Sequence, residues 1–177
     1  LDKQAINEFE WLFIMQHHGV PTRLLDWTES PLAALYFACK ENFKTDGALW
    51  CVLPVELNKN ASIASEEDGF IPGTSDHALA NYAPSSFAGE GVTEMFPLAA
   101  ISNRNTPRMQ AQQGTFIIFH RRRTSIEAIG DSSHVWRYII PAGSKRDILD
   151  ELRLCGVNEF QLFPELPSIG SVIRSQL

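Results

Sequence analysis

The feature that most restricts this chain is an unbroken apolar run, Leu32–Cys39, opened by Ser30-Pro31 and preceded by a stretch crowded with His, Arg, Asp and Trp. Ser30 is suited to accept from the free N–H groups of a first helical turn. Pro31 fits the first helical position because its missing donor would have no partner there. The sequence therefore predicts a helix from Pro31 to about Phe43, apolar nearly all round along Leu32–Cys39 and buried on most sides. The run is far short of the ~20 apolar residues that cross a bilayer, so a core element is expected and no membrane partner. Upstream, Gln4–Gln16 places Ile6, Phe9, Leu12 and Phe13 at helical spacing, with Trp11 and Met15 beside them, and Gly19 and Pro21 follow as stop signals. Pro21–Trp27 reads as an extended connector between the two helices.

The rest of the chain alternates short strands with short helices. Asp46–Gly47 turns the chain and Ala48–Pro54 has the composition of a central strand. Leu57–Pro84 reads as a long excursion with a short helix at Asp76–Tyr82. Phe96–Ile101 predicts a short strand, Arg108–Gln113 a helical turn ended by Gly114, and Thr115–His120 and Val135–Pro141 two further strands. Arg121–Ser133 reads as polar and exposed. Ser144-Lys-Arg-Asp147 resembles a capping box opening a helix over Lys145–Cys155, with Gly156 as its stop. Glu159–Phe163 predicts a last strand and Leu166–Leu177 a terminal helix or tail. At about 150 residues per domain, 177 residues make one domain, so the expectation is a single compact α+β domain over residues 1–177. Its sheet is expected to be mixed or antiparallel, beside a buried helix pair.

Charge and cysteine usage narrow the function classes. The net charge of −6 supplies no bulk footprint for nucleic acid, which argues against that partner. Local basic groups remain at Arg121-Arg122-Arg123, best read as a solvated turn, and at Arg104 and Arg108 among Asn103 and Asn105. Cys39, Cys51 and Cys155 form no C-x-x-C, and no basic segment followed by an apolar one opens the sequence, so a reducing cytoplasm is the expected setting. Neighbouring side chains on a helix diverge by ~100°, so His17 and His18 cannot face one metal, and no metal is expected. Glu66-Glu67-Asp68, the only acidic run, suits a solvated loop better than a nuclease site. The sequence lacks G-x-S-x-G, a P-loop and G-x-G-x-x-G, which weakens hydrolase, NTPase and Rossmann readings.

The densest chemistry lies in Gln16-His17-His18-Gly19-Val20-Pro21-Thr22-Arg23-Leu24-Leu25-Asp26-Trp27-Thr28. Polar and aromatic residues on a connector between rigid elements suit a binding site. The same residues also suit an ordered loop in which Arg23 and Asp26 pair and Thr28 or Ser30 caps the next helix. Gln112 and Gln113, at the mouth of the Thr115–His120 strand, present amides that would either meet a ligand or cap the turn.

That stretch, continued by Pro31-Leu32 and Ala34-Leu35-Tyr36-Phe37-Ala38, resembles the core motif of the FRG domain family. Arg108–Phe116 resembles the family's second block and Leu162–Leu166 its closing one. The Phe-Arg-Gly triad for which the family is named does not occur ahead of Gln16 in this sequence. The resemblance implies a bacterial or phage-related protein whose block order is similar to ADP-ribosyltransferase-like folds. It implies a site in which Thr28, Gln112 and Gln113 take the catalytic positions and Arg23, Asp26, Trp27, Ser30, Tyr36 and Arg108 contact the ligand. The implied cofactor is NAD, with no metal, and the implied partner is a nucleotide or a protein acceptor. Cleaving the nicotinamide–ribose bond develops oxocarbenium-like charge, which the site must stabilise. Arg23 would pair a phosphate and Trp27 or Tyr36 would stack on a ring. A Gln in place of the usual carboxylate bonds but supplies no charge, so a non-catalytic nucleotide-binding or regulatory module stands beside the NAD-using enzyme.

Overall fold

The computed structural model describes residues 7–61, 70–88, 95–121 and 124–164. Its helices and strands are, in chain order, α1 Glu8–His17, β1 Leu24–Thr28, α2 Pro31–Cys39, β2 Gly47–Val52, α3 Pro54–Asn60, β3 Leu98–Ile101, α4 Pro107–Ala111, β4 Gly114–Ile118, β5 Val135–Ile140, α5 Lys145–Leu154 and α6 Glu159–Leu162. Short 3-10 turns lie at His77–Tyr82, Pro84–Ala88, Ile126–Ala128 and Ala142–Ser144. The fold is α+β. The chain divides into two compact units, the first formed by Leu1–Asp26, Val52–Asn103 and Thr115–Val135, the second by Trp27–Cys51, Arg104–Gly114 and Trp136–Leu177.

In the first unit, Asn7 starts α1 through a reciprocal cap. Its side chain accepts the Glu10 N–H at 2.8 Å, and the Glu10 carboxylate accepts the Asn7 N–H at 3.0 Å. The helix buries Phe9 and Leu12 and stacks Phe13 on Phe116 with ring centroids 4.4 Å apart. Trp11, Ile14 and Met15 are exposed, so α1 is buried along one face only. Three strands form a sheet in the order β1-β4-β3, with β3 and β4 antiparallel and Leu98 opposite Ile118. β1 falls within the segment expected to be an extended connector. Leu24 N–H bonds Thr22 Oγ1 at 3.1 Å, and the Arg23 carbonyl just ahead of the strand accepts the Phe119 N–H at 3.0 Å. α3, which Pro54 opens at its first turn, takes up the first residues of the expected excursion, Leu57–Asn60. Asn58 pins α3 to β3, donating to the Ala99 carbonyl at 2.9 Å and accepting the Ala99 N–H at 2.7 Å. The expected short helix at Asp76–Tyr82 is found as a 3-10 turn capped by Asp76, and it buries Leu79 and Tyr82. Burial pushes the Tyr82 phenol upward, and its hydroxyl donates to the Phe96 carbonyl at 2.6 Å. Arg121–Ser133 is not wholly exposed. Ile126 and Ile129 are buried there, and buried His134 donates Nε2–H to the Ile126 carbonyl at 2.9 Å.

The second unit is built on α2. Ser30 Oγ accepts the Ala33 N–H at 3.3 Å, with Pro31 following, as the sequence indicates. The helix ends at Cys39 rather than Phe43, because the chain turns left-handed at Asn42 (φ 52°). The buried Lys145 ammonium takes the Glu41 and Asn42 carbonyls at 3.1 and 3.3 Å. A cation at a helix C-terminus also complements the helix dipole. Ala33 and Cys39 are buried, but Leu32 is 43% exposed and Leu35, Tyr36 and Phe37 are half-buried, so α2 is less enclosed than an all-round apolar helix would be. α2 packs on α5. β2 pairs with β5 in a two-stranded sheet, which corrects the expectation of a central strand at Ala48–Pro54.

Three boundaries differ from the sequence reading for local reasons. Ser144 makes no side-chain cap on α5, since its backbone (φ −91°, ψ −12°) already belongs to the preceding 3-10 turn and is not extended as a cap requires. Glu159–Phe163 is not a strand. Asn158 accepts the Gln161 N–H at 3.0 Å and starts the short helix α6 there. Gly114 does not end α4 but begins β4, the left-handed residue being Gln113 (φ 47°). Gly156 (φ 81°) does terminate α5. The expected tail Leu166–Leu177, the first residues of Gln4–Gln16, the acidic run Glu66–Asp68, and Arg122 and Arg123 lie outside the described residues.

Two consequences are measurable. A Cβ on Gly47 would stand 2.5 Å from the Ala38 carbonyl oxygen and 3.0 Å from Lys145 Cε. Gly47→Ala should therefore cost ~1–3 kcal/mol in denaturant melts, as overpacking does. The Glu8 carboxylate accepts both the Ser85 hydroxyl (2.6 Å) and the Ser85 N–H (2.7 Å), which hold its pKa below the usual carboxylate range, with Arg23 adding to the effect. A carboxyl lowered on folding stabilises above its unfolded pKa of about 4.3 and loses that contribution as pH falls through the folded value. Melts taken from neutral pH into acid should thus show a smaller acid-side loss in Glu8→Gln than in the wild type.

Candidate functional site

The end of β1 and the turn before β4 are joined in the second unit. Thr28 Oγ1 donates to the Gln112 carbonyl at 2.6 Å and accepts the Ser30 N–H at 2.9 Å, and Glu29 N–H donates to the Gln113 carbonyl at 3.1 Å. One hydroxyl thereby fixes both the approach to α2 and the end of α4. The Gln112 amide donates to the Leu162 carbonyl at 3.0 Å, which fastens the same turn to α6. Gln113 stands in the left-handed region with an exposed side chain.

Two charged features surround this stitch. Arg104 Nη2 lies 2.6 Å from Glu29 Oε1, while Arg104 Nε donates to the Gly114 carbonyl at 3.4 Å. Arg104 is itself left-handed (φ 43°), so both ends of the Arg104–Gln113 segment adopt a conformation that L residues populate rarely. Farther along α2, the Phe163 ring has Lys40 Nζ at 5.0 Å and Arg108 Cζ at 4.8 Å from its centroid, with Phe37 edge-on at 5.8 Å. Tyr36 contacts Phe37 edge-on at 5.8 Å. Its phenol is pushed upward chiefly by burial and secondarily by Glu159. Trp27 Nε1 is buried with no hydrogen-bond partner.

Of the residues singled out in the sequence, Trp27, Thr28, Ser30, Tyr36, Arg108, Gln112 and Gln113 fall in the second unit. Thr28 and Gln112 are in direct contact, Ser30 is bonded to Thr28 through its backbone and also caps α2, and Arg108 stacks on Phe163. Arg23 and Asp26 fall in the first unit. There Gln16 Nε2 donates to Asp26 Oδ1 at 2.5 Å, and Thr22 Oγ1 donates to Gln16 Oε1, which gives Gln16, Thr22 and Asp26 one shared role in shaping the turn after α1. Burial lowers the Arg23 pKa, the nearby Glu8 charge opposes that shift, and the Arg23 carbonyl accepts the Phe119 N–H at 3.0 Å. Among the described residues no group of three or more His, Cys, Asp or Glu side chains could hold a metal ion, and no helix is long and apolar enough to cross a membrane.

Sequence reasoning gave Glu29 and Lys40 no role and read Phe163 only as part of a motif. Glu29 stood in plain view between Thr28 and Ser30, but its partner Arg104 is remote in sequence and no local pattern links the two.

Of the two roles open to the Gln112 amide, meeting a ligand or capping the turn, this geometry gives it a structural bond to α6. Gln112→Ala removes the donor to Leu162 and should lower stability by about 0.5–1.5 kcal/mol in denaturant melts, the usual worth of one such bond.

No curated protein and no solved structure matches the chain. The sequence model of the FRG domain matches residues 1–47, a range that holds the Gln16–Thr28 motif, α1, β1 and α2. The resemblance seen in that motif is thus found again over residues 1–47, and the family this part of the chain matches is FRG.

Proposed function

We propose that this chain is a nucleotide-binding module of the FRG type with an ADP-ribosyltransferase-like architecture, taking NAD or a related dinucleotide without sustained turnover. The observation that carries this reading is the Thr28–Gln112 bond. Two of the three residues expected at the catalytic positions are engaged in holding the fold, Thr28 through its hydroxyl and Gln112 through both its carbonyl and its amide. Neither supplies the charge that ribosyl-bond cleavage demands. The residues around them suit binding. Arg104 and Arg108 are cations for phosphate, Tyr36 and Trp27 offer rings, and the exposed Gln113 amide can both donate and accept.

A second reading, an NAD-using transferase, is favoured by Glu29. This carboxylate follows Thr28 directly and would supply the negative charge that Gln112 and Gln113 lack. Incubation with NAD separates the two. Saturable binding without release of free nicotinamide is the expected result and supports the module. Nicotinamide released at a steady rate selects the transferase. No binding by calorimetry removes both.

A further inference from the structure

We infer that Arg104 is an anion-binding residue whose resident counter-ion is Glu29, the pair forming a latch that a phosphate group opens. The inference takes its ligand class from the nucleotide reading and deepens it by naming the group that meets the phosphates. Three observations carry it. Arg104 is fixed from its backbone outward: its φ is 43°, its carbonyl accepts Gln110 Nε2 at 3.0 Å, and its Nε donates to the Gly114 carbonyl at 3.4 Å. A left-handed backbone is unfavourable for any L residue and persists where neighbouring structure or function requires it. Glu29 is the movable member. Its N–H is tied to the Gln113 carbonyl at 3.1 Å, whereas its side chain is 50% exposed and the guanidinium it meets is 30% exposed. An ion pair this exposed is weakly held and exchangeable.

A phosphate competes well for such a guanidinium. It carries more charge than a carboxylate, offers three acceptor oxygens, and matches the planar fork with two parallel bonds. In a chain of net charge −6, a carboxylate parked on the cation also limits non-specific capture of weak anions. As the anion arrives, the Glu29 carboxylate rotates into solvent while its backbone stays bonded to Gln113.

Inorganic pyrophosphate is the probe, titrated into the full chain by calorimetry. Glu29→Gln keeps the shape of the side chain and removes the competing charge, so pyrophosphate should bind about two- to fivefold tighter than to the wild type, the worth of an exposed ion pair. Arg104→Gln should weaken binding by about tenfold or more, as loss of a charged donor does. Unchanged or weaker binding by Glu29→Gln overturns the latch, and wild-type affinity in Arg104→Gln overturns the anion site. If Arg104→Gln fails to fold, Glu29→Gln decides alone. The same titrations with NAD keep the two readings apart. NAD binding with no pyrophosphate response in either the wild type or Glu29→Gln leaves the nucleotide reading standing and removes Arg104 from it. The expected pyrophosphate pattern with no NAD binding keeps the latch and discards the dinucleotide.

Discussion

The second unit depends on a single hydroxyl. Thr28 Oγ1 donates to a carbonyl at the end of α4 and accepts an N–H at the start of α2, so two elements remote in sequence share one atom as their common anchor. A side-chain hydroxyl suits the task because it is both donor and acceptor within a short reach, where a carboxylate would offer acceptors only and an amide would need more room. Ser30 then caps α2 and Gln112 ties the same turn to α6. Valine has nearly the shape of threonine, yet it would leave the Ser30 N–H and the Gln112 carbonyl without their partner. The threonine is accordingly a matter of hydrogen bonding more than of packing.

Much of the fold was legible where a local rule acts alone. Ser30-Pro31 announced the start of α2 and Gly156 the end of α5, and the strands expected within Phe96–Ile101, Thr115–His120 and Val135–Pro141 are found as β3, β4 and β5. Legibility failed where two local rules competed. Asn158 is an equally good turn residue and helix cap, and Glu159-Phe-Gln-Leu162 is too short for periodicity to choose between strand and helix. Gly114 was an attractive helix stop, but Gln113 took the left-handed position and freed the glycine for the strand. The central-strand reading of Ala48–Pro54 came from its continuous apolar composition. In the fold that composition serves a strand of a two-stranded sheet in which Gly47 lies against the Ala38 backbone and Trp50 has the Arg137 guanidinium 5.5 Å from its ring centroid.

The candidate site was legible in its residues and not in their division of labour. Thr28, Ser30 and Gln112 were all singled out, and they do meet, but as holders of one another through hydrogen bonds that no sequence spacing encodes. Arg104 was visible as part of a basic patch, and Glu29 was given no role. Their pairing depends on the turn that brings Arg104 back to the end of β1. Likewise Phe163, within the Leu162–Leu166 block, was seen as motif and not as the ring on which Arg108 and Lys40 lie.

The Arg104–Gln113 segment has its two ends fastened to each other and to Glu29, so its interior answers to few constraints from the strand that follows. Loop-closure entropy grows only slowly with length, by roughly 0.6 kcal/mol for each doubling. A segment clamped in this way can exchange exposed residues such as Asn105 while Arg108 and Gln112 keep their places on Phe163 and Leu162 and the register of β4 against β3 is preserved. In evolutionary terms it is a tolerant surface: exchanges there leave the pairing of the following strand as it is.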